Sequence, residues 1–199
     1  MANTPSEGIG RSKANRYTQD GKALVSKINA TDDLKRDISR AVDLIGGFEK
    51  IVESNDEVWL KPNFNSADAP PASSDPEFVK TVTALLYKHG ASKVIIGESS
   101  MQFTSTRGVL EKMGMIKAAE EADAELAIFD EGKWRKISID GKYLKRVSLP
   151  ERALQAKKLV YACCLKTHSL AKFSMSLKLG FGFTKHSERG GFHMRHLQE

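Results

Sequence analysis

Hydrophobic and polar positions alternate along this chain in two distinct rhythms. Residues 1–21 are rich in Ser, Asn, Gly and Thr with no apolar period, which predicts a mobile lead-in. Residues 23–28 predict a first strand. Beyond Thr31, Asp32 and Asp33, which suit a helix start, Leu34, Ile38, Ala41, Val42 and Ile45 recur at helical spacing until Gly46 and Gly47 end the run. Residues 57–60 predict a short apolar strand whose ladder stops at Pro62, a residue without a backbone donor. Asp75 and Pro76 open a helix that carries Val79, Val82, Leu85 and Leu86 and stops at Gly90. Residues 93–97 predict a strand, 106–122 a helix and 125–129 another strand. Strands and helices alternating at these lengths predict an α/β fold, a mostly parallel sheet with helices on both faces.

The rhythm changes between residues 133 and 149, where runs 134–139 and 143–149 flank Asp140-Gly141, a hairpin signal. We expect an antiparallel appendage inserted into an α/β domain spanning 22–199. The helical regime resumes at Glu151. Residues 158–164 predict a last buried strand, 171–179 a helix, and Gly180-Phe181-Gly182 a helix cap with a hinge rather than a phosphate loop, because the third glycine and the strand-to-helix order are missing. A final helix predicted from Phe192 has no stop signal before Glu199, which leads to the expectation of an incomplete domain continuing beyond residue 199.

Polar residues cluster where three predicted strands end. Lys61, Asn63 and Asn65 follow the first, Glu98, Ser99 and Ser100 the second, and Lys166, Thr167 and His168 the last. Ligands of open parallel sheets bind beyond the carboxyl ends of the strands, so the coincidence predicts one shared site rather than three turns.

Charge adds a second pointer. The chain has 199 residues, 31 Lys and Arg against 25 Asp and Glu, and a net charge of +6. Between Lys157 and Glu199 there are eight basic and two acidic residues, so the whole excess lies there, with His168, His186, His193 and His196. Within that stretch, His168, Lys178, Lys185, His186 and His193 suit proton transfer or metal ligation, the competing reading being a solvated basic surface. Lys178, on a helix from 171 to 179, would lie about two turns along it. Adjacent Cys163 and Cys164 cannot provide the spaced thiolates of a zinc or iron-sulfur site and read as reduced strand residues. The pI near 9.2 raises nucleic acid as a partner, but the aromatic residues form no stacking motif, and it is disfavoured. No apolar run of membrane-spanning length and no leader pattern is visible, so the chain reads as cytosolic.

In combination, Lys61-Pro62-Asn63, Ser74-Asp75-Pro76, Gly97-Glu98-Ser99-Ser100, Leu165-Lys166-Thr167-His168 and Ser176-Leu177-Lys178-Leu179-Gly180-Phe181-Gly182 resemble the prokaryotic family catalogued as domain of unknown function 362, from about Leu24 to the end. Members are often longer and many carry a ferredoxin-like iron-sulfur module; this chain holds none, and no cluster is bound by its own cysteines. Where that family frequently has Lys-Asn, this chain has Lys178-Leu179. The tail is also similar, in the order and spacing of His168, Lys178 and His193, to lactate racemase-like proteins of the nickel-pincer type, which implies a catalytic region without carrying over the cofactor.

These readings converge on an enzyme, or part of one, that binds a small carboxylate or phosphate. Lys61, Asn63, Asn65, Ser99, Ser100, Lys166 and Thr167 are the candidate ligand-binding residues. His168, Glu98 and Lys178 are the candidate catalytic residues, and His186 and His193 the candidate metal ligands. The cofactor stays open, a metal ion being one candidate. The alternative is a non-catalytic scaffold whose basic tail docks an iron-sulfur or other electron-transfer protein.

Overall fold

A computed structural model describes residues 17–195, the side chain of Arg195 excepted. A small hairpin comes first, β1 (Thr18–Gln19) with β2 (Lys22–Ala23). Its turn is Asp20-Gly21, both at positive φ (52° and 73°), as a two-residue hairpin turn requires. α1 (Leu34–Asp43) begins at Asp33, whose carboxylate accepts from the Arg36 amide at 2.9 Å. Then follow β3 (Asp56–Pro62), α2 (Pro76–Lys88), β4 (Ala91–Glu98), α3 (Thr106–Lys112), α4 (Met115–Glu121) and β5 (Glu125–Ile128). The hairpin β6 (Trp134–Ser138) and β7 (Arg146–Pro150) interrupts this alternation before β8 (Lys158–Ala162). After β8 come a second small hairpin, β9 (Lys166–His168) with β10 (Lys172–Ser174), then α5 (Ser176–Gly180) and α6 (His186–Arg195).

The main sheet has the order β5-β4-β3-β8, and every pair is parallel. The chain lays down β3, β4 and β5 outward in one direction, then returns to place β8 on the other side of β3. That reversal opens a crevice beyond the carboxyl ends of β3 and β8. On one face, Val58 and Leu60 of β3 and Val94 and Ile96 of β4 pack with Val79, Leu85 and Leu86 of α2, Leu110 of α3 and Met115 of α4, all buried. Each such side chain contributes about 1.5–3 kcal/mol through burial. α1 rests on α2. The alternate residues Trp59 and Ile95 face the other way and meet Phe129, with Trp134 and Phe183 packed around them. This second face is covered by the β6–β7 hairpin, 3₁₀ turns and the short α5 against β8.

The α/β class, the parallel sheet with flanking helices and the antiparallel hairpin are therefore as expected. Several local expectations change. Residues 24–30 form no strand; only Lys22 and Ala23 pair, and with β1 instead of the main sheet. The lead-in expected over 1–21 lies outside the described residues up to 16, and residues 18–19 are hairpin. The helix expected over 106–122 breaks at Gly114, which takes φ +73° and separates α3 from α4. The hairpin expected around Asp140-Gly141 turns through the longer connection 139–145, closed by the Ile139 amide to the Lys145 carbonyl at 3.0 Å. The helix expected over 171–179 is instead β10 followed by α5, because Lys172 takes φ +65° and the chain folds back on β9. α6 starts at His186, before rather than after Gly190 and Gly191, and residues 196–199 of the expected last helix lie outside the described residues. Cys163 and Cys164 are free, partly buried, and lie just past β8. Among the described residues no helix is long and apolar enough to cross a membrane.

Gly97 shows how tightly the second face is packed, since a Cβ there would stand 2.6 Å from Phe129 Cζ and 3.3 Å from Trp59 Cε3. Gly97→Ala is expected to destabilise the fold by about 1–3 kcal/mol, read as a lower urea midpoint with an unchanged slope. An unchanged midpoint would contradict this packing.

Candidate functional site

The three polar clusters meet. Lys61 and Asn63 at the end of β3, Glu98 and Ser99 at the end of β4, and Lys166 and His168 on β9 line one cleft of about 100 Å³. Asn65, Ser174, Lys178, Leu179, Phe181, Gly182, Arg189 and His193 complete its walls.

Its floor is a buried ion pair. Lys61 Nζ lies 2.5 Å from Glu98 Oε1 and donates to the Pro62 carbonyl at 2.7 Å; the two side chains are 1% and 2% exposed. Glu98 also accepts the Ser99 amide on Oε1 and the Phe64 amide on Oε2, each at 2.8 Å. Both carboxylate oxygens are thus engaged. Burial pushes the Lys61 ammonium below the usual lysine range, and the Glu98 carboxylate opposes that shift. The 3₁₀ turn Phe181–Phe183 forms the roof, where a Cβ on Gly182 would come within 3.0 Å of Lys61 Cε. Any larger residue there would have to push the Lys61 side chain aside by a few tenths of an ångström.

β9 delivers its residues by simple alternation. Lys166 and His168 share a half-buried face and Thr167 points to solvent. Lys166 Nζ donates to the Ala72 carbonyl, which fastens β9 to the loop before α2. His168 Nδ1 accepts the amides of Leu170 and Ala171, both at 3.1 Å, and so shapes the β9–β10 turn. His193, on α6, stacks on His168 with ring centroids 5.6 Å apart and planes 7° from parallel. Its Nδ1 lies 2.9 Å from the Arg189 carbonyl oxygen.

These partners assign the imidazole protons. A carbonyl only accepts, so neutral His193 carries its proton on Nδ1 and keeps a lone pair on Nε2. The His168 Nδ1 receives two amide donors, so its proton sits on Nε2. Burial pushes both rings below the usual imidazole range. Lys178 and Lys166 add to the effect at His168, while at His193 the Arg189 carbonyl opposes it. Lys178 Nζ stands 4.8 Å from the Phe181 ring centroid. Burial, then the charges of Arg189 and Lys166, lower its pKa from the usual lysine value.

Not every expected residue belongs to the cleft. Thr167 faces away, and Ser100 is buried beneath it, donating to the Phe64 carbonyl at 2.7 Å. His186 does not join His193; its Nδ1 lies 3.0 Å from Asp130 Oδ1, which also accepts the Ser99 hydroxyl at 2.7 Å. Among the described residues no group of three His, Cys, Asp or Glu side chains is placed to hold a metal ion. His168 and Lys178 are neighbours in the cleft through the β9–β10 reversal, not through two turns of one helix.

Sequence reasoning missed Arg189, Ser174, Phe181 and Gly182 in the cleft, and Asp130 behind it. Arg189 is 7% exposed, and its guanidinium donates to the carbonyls of Thr184, Ser99, Ser100 and Gly182 at 2.8–3.0 Å. It therefore ties α6 to the end of β4 and to the roof. Glu188 in the first turn of α6, which accepts from the Ser148 amide and hydroxyl, was the available sign that a helix starts there.

Neither the curated proteins nor the solved structures offer a match to this chain. A family model does, over residues 58–199, from within β3 to the last residue and so including every strand end of the cleft. The chain belongs to the family described as domain of unknown function, DUF362.

Proposed function

We propose that the cleft binds a small carboxylate or phosphate and that its two histidines act on the bound anion, His168 as hydrogen-bond donor and His193 as proton acceptor, as in an enzyme site. One observation carries this reading. The walls hold four cations, Lys61, Lys166, Lys178 and Arg189, against the single acid Glu98, and they hold two stacked imidazoles with opposite proton placement. Concentrated positive charge in a partly dry cleft attracts anions. His168 presents an Nε2–H that can hold the anion by a hydrogen bond, and His193 an Nε2 lone pair that can accept a proton. Glu98, engaged on both oxygens by three donors, acts as the anchor of Lys61 instead of as a proton carrier.

Inorganic phosphate and acetate are expected to shift the amide NMR signals of residues 61–65, 98–100, 166–168 and 178–182. In a Lys166→Met, Lys178→Met double variant the affinity falls at least about tenfold, since hydrogen bonds to charged groups contribute roughly 1.5–3 kcal/mol. Shifts confined to other surfaces, or an unaltered affinity, would remove the reading.

Imidazole ¹⁵N NMR at neutral pH is expected to find the Nε2–H tautomer at His168 and the Nδ1–H tautomer at His193, with both rings titrating below the ordinary value of 6.5. As pH falls, the unfolded chain binds protons before the folded one. The stability these rings contribute is therefore complete above that value and declines below it. The same tautomer at both rings, or a titration above 6.5, would contradict the assignment.

A second reading, docking of an acidic electron-transfer protein, draws on Leu170, Phe173 and Leu177, which are 57%, 61% and 95% exposed among Lys166, Lys172 and Lys178. It expects a pull-down of an acidic ferredoxin that weakens steeply with salt; capture indifferent to ionic strength would count against it.

A further inference from the structure

The charge in the cleft is unbalanced in a way that narrows the ligand, an inference that rests on the small-anion reading above. Lys61 and Glu98 neutralise each other across 2.5 Å. The other charged groups on the walls, Lys166, Lys178 and Arg189, are all cations. Each has a partner, and none of those partners bears a net charge. Lys166 donates to the Ala72 carbonyl, Lys178 lies over the Phe181 ring, and Arg189 donates to four backbone carbonyls.

Arg189 is the informative member. A guanidinium has five N–H groups, and four are used on Thr184, Ser99, Ser100 and Gly182, which leaves one on Nη2. Among the described residues no carboxylate lies within ion-pair distance of it. Asp130 is held by the hydroxyls of Ser99 and Thr106 and by His186. Glu98 and Asp130 act on Arg189 through space without touching it, whereas the buried Lys61 has Glu98 in direct contact; a buried charge with no counter-ion in contact is costly. A singly charged ligand leaves two of the three cations uncompensated, whereas a doubly charged one leaves one. The cleft volume of about 100 Å³ suits a compact ligand.

We infer that the cleft selects compact doubly charged oxyanions over singly charged ones, with Arg189 answering the second charge. Such a dianion is either a phosphoryl-type tetrahedral group or a short dicarboxylate.

The test uses the full chain and calorimetric titration at constant ionic strength with two matched pairs, sulfate against nitrate and malonate against acetate. At least one dianion is expected to bind tenfold or more tighter than its counterpart. A preference for sulfate marks the tetrahedral class, and one for malonate the dicarboxylate class. A ratio below tenfold in both pairs overturns the inference while leaving the small-anion reading in place; absence of binding by all four overturns both. Arg189→Met is expected to bring the ratio near one. Because Arg189 also fastens backbone, Lys178→Met, at a half-buried position, provides the second variant, and it should lower the ratio severalfold. A ratio unchanged in Lys178→Met overturns the charge-matching argument.

Discussion

The contact on which the rest of this structure depends is the buried pair between Lys61 and Glu98. It joins the carboxyl ends of two neighbouring parallel strands where their ladder has ended, with almost no access to water. Removing one partner of such a pair leaves an uncompensated charge in a dry interior, at a cost of roughly 3–5 kcal/mol. The same carboxylate also gathers the amides of Phe64 and Ser99, so the first residues of both outgoing loops take their direction from it. Lys61 thereby becomes the floor against which the glycine turn rests, and the cleft takes its shape from that contact.

Arg189 does for the carboxyl-terminal segment what Glu98 does for the strand ends. Its bonds reach the loop after β4 and the turn before α6, so the helix carrying His193 is registered against the sheet. The two histidines then acquire opposite proton placements from purely local partners, an amide pair at one ring and a carbonyl at the other. The chemical difference between two identical side chains is thus written in backbone geometry.

The sheet was legible because β3, β4 and β5 are short apolar strands separated by well-capped helices, a pattern that leaves few alternatives. The strand-end residues Lys61, Asn63, Glu98, Ser99, Lys166 and His168 were legible for the same reason, since topology alone brings them together. Thr167 and Ser100 do not line the cleft, because a cluster in sequence does not say which of its members face the same way. The region after His168 was misread because helical spacing is a local signal. The β9–β10 reversal depends on His168 itself capturing two amides and on Lys172 accepting a positive φ, which no periodicity announces. Arg189 escaped notice because a cation beside two glycines in a basic stretch looks like surface; its burial follows only from where α6 lands.

The approach of Gly182 to Lys61 joins positions about 120 residues apart in the chain. Floor and roof therefore come together only after β8, the terminal hairpin and α6 have all found the sheet that β3 and β4 began. Closing a loop of that length costs conformational entropy that the contact must repay. A molecule in which any of these elements is misplaced has the residues of the cleft but no enclosure around them.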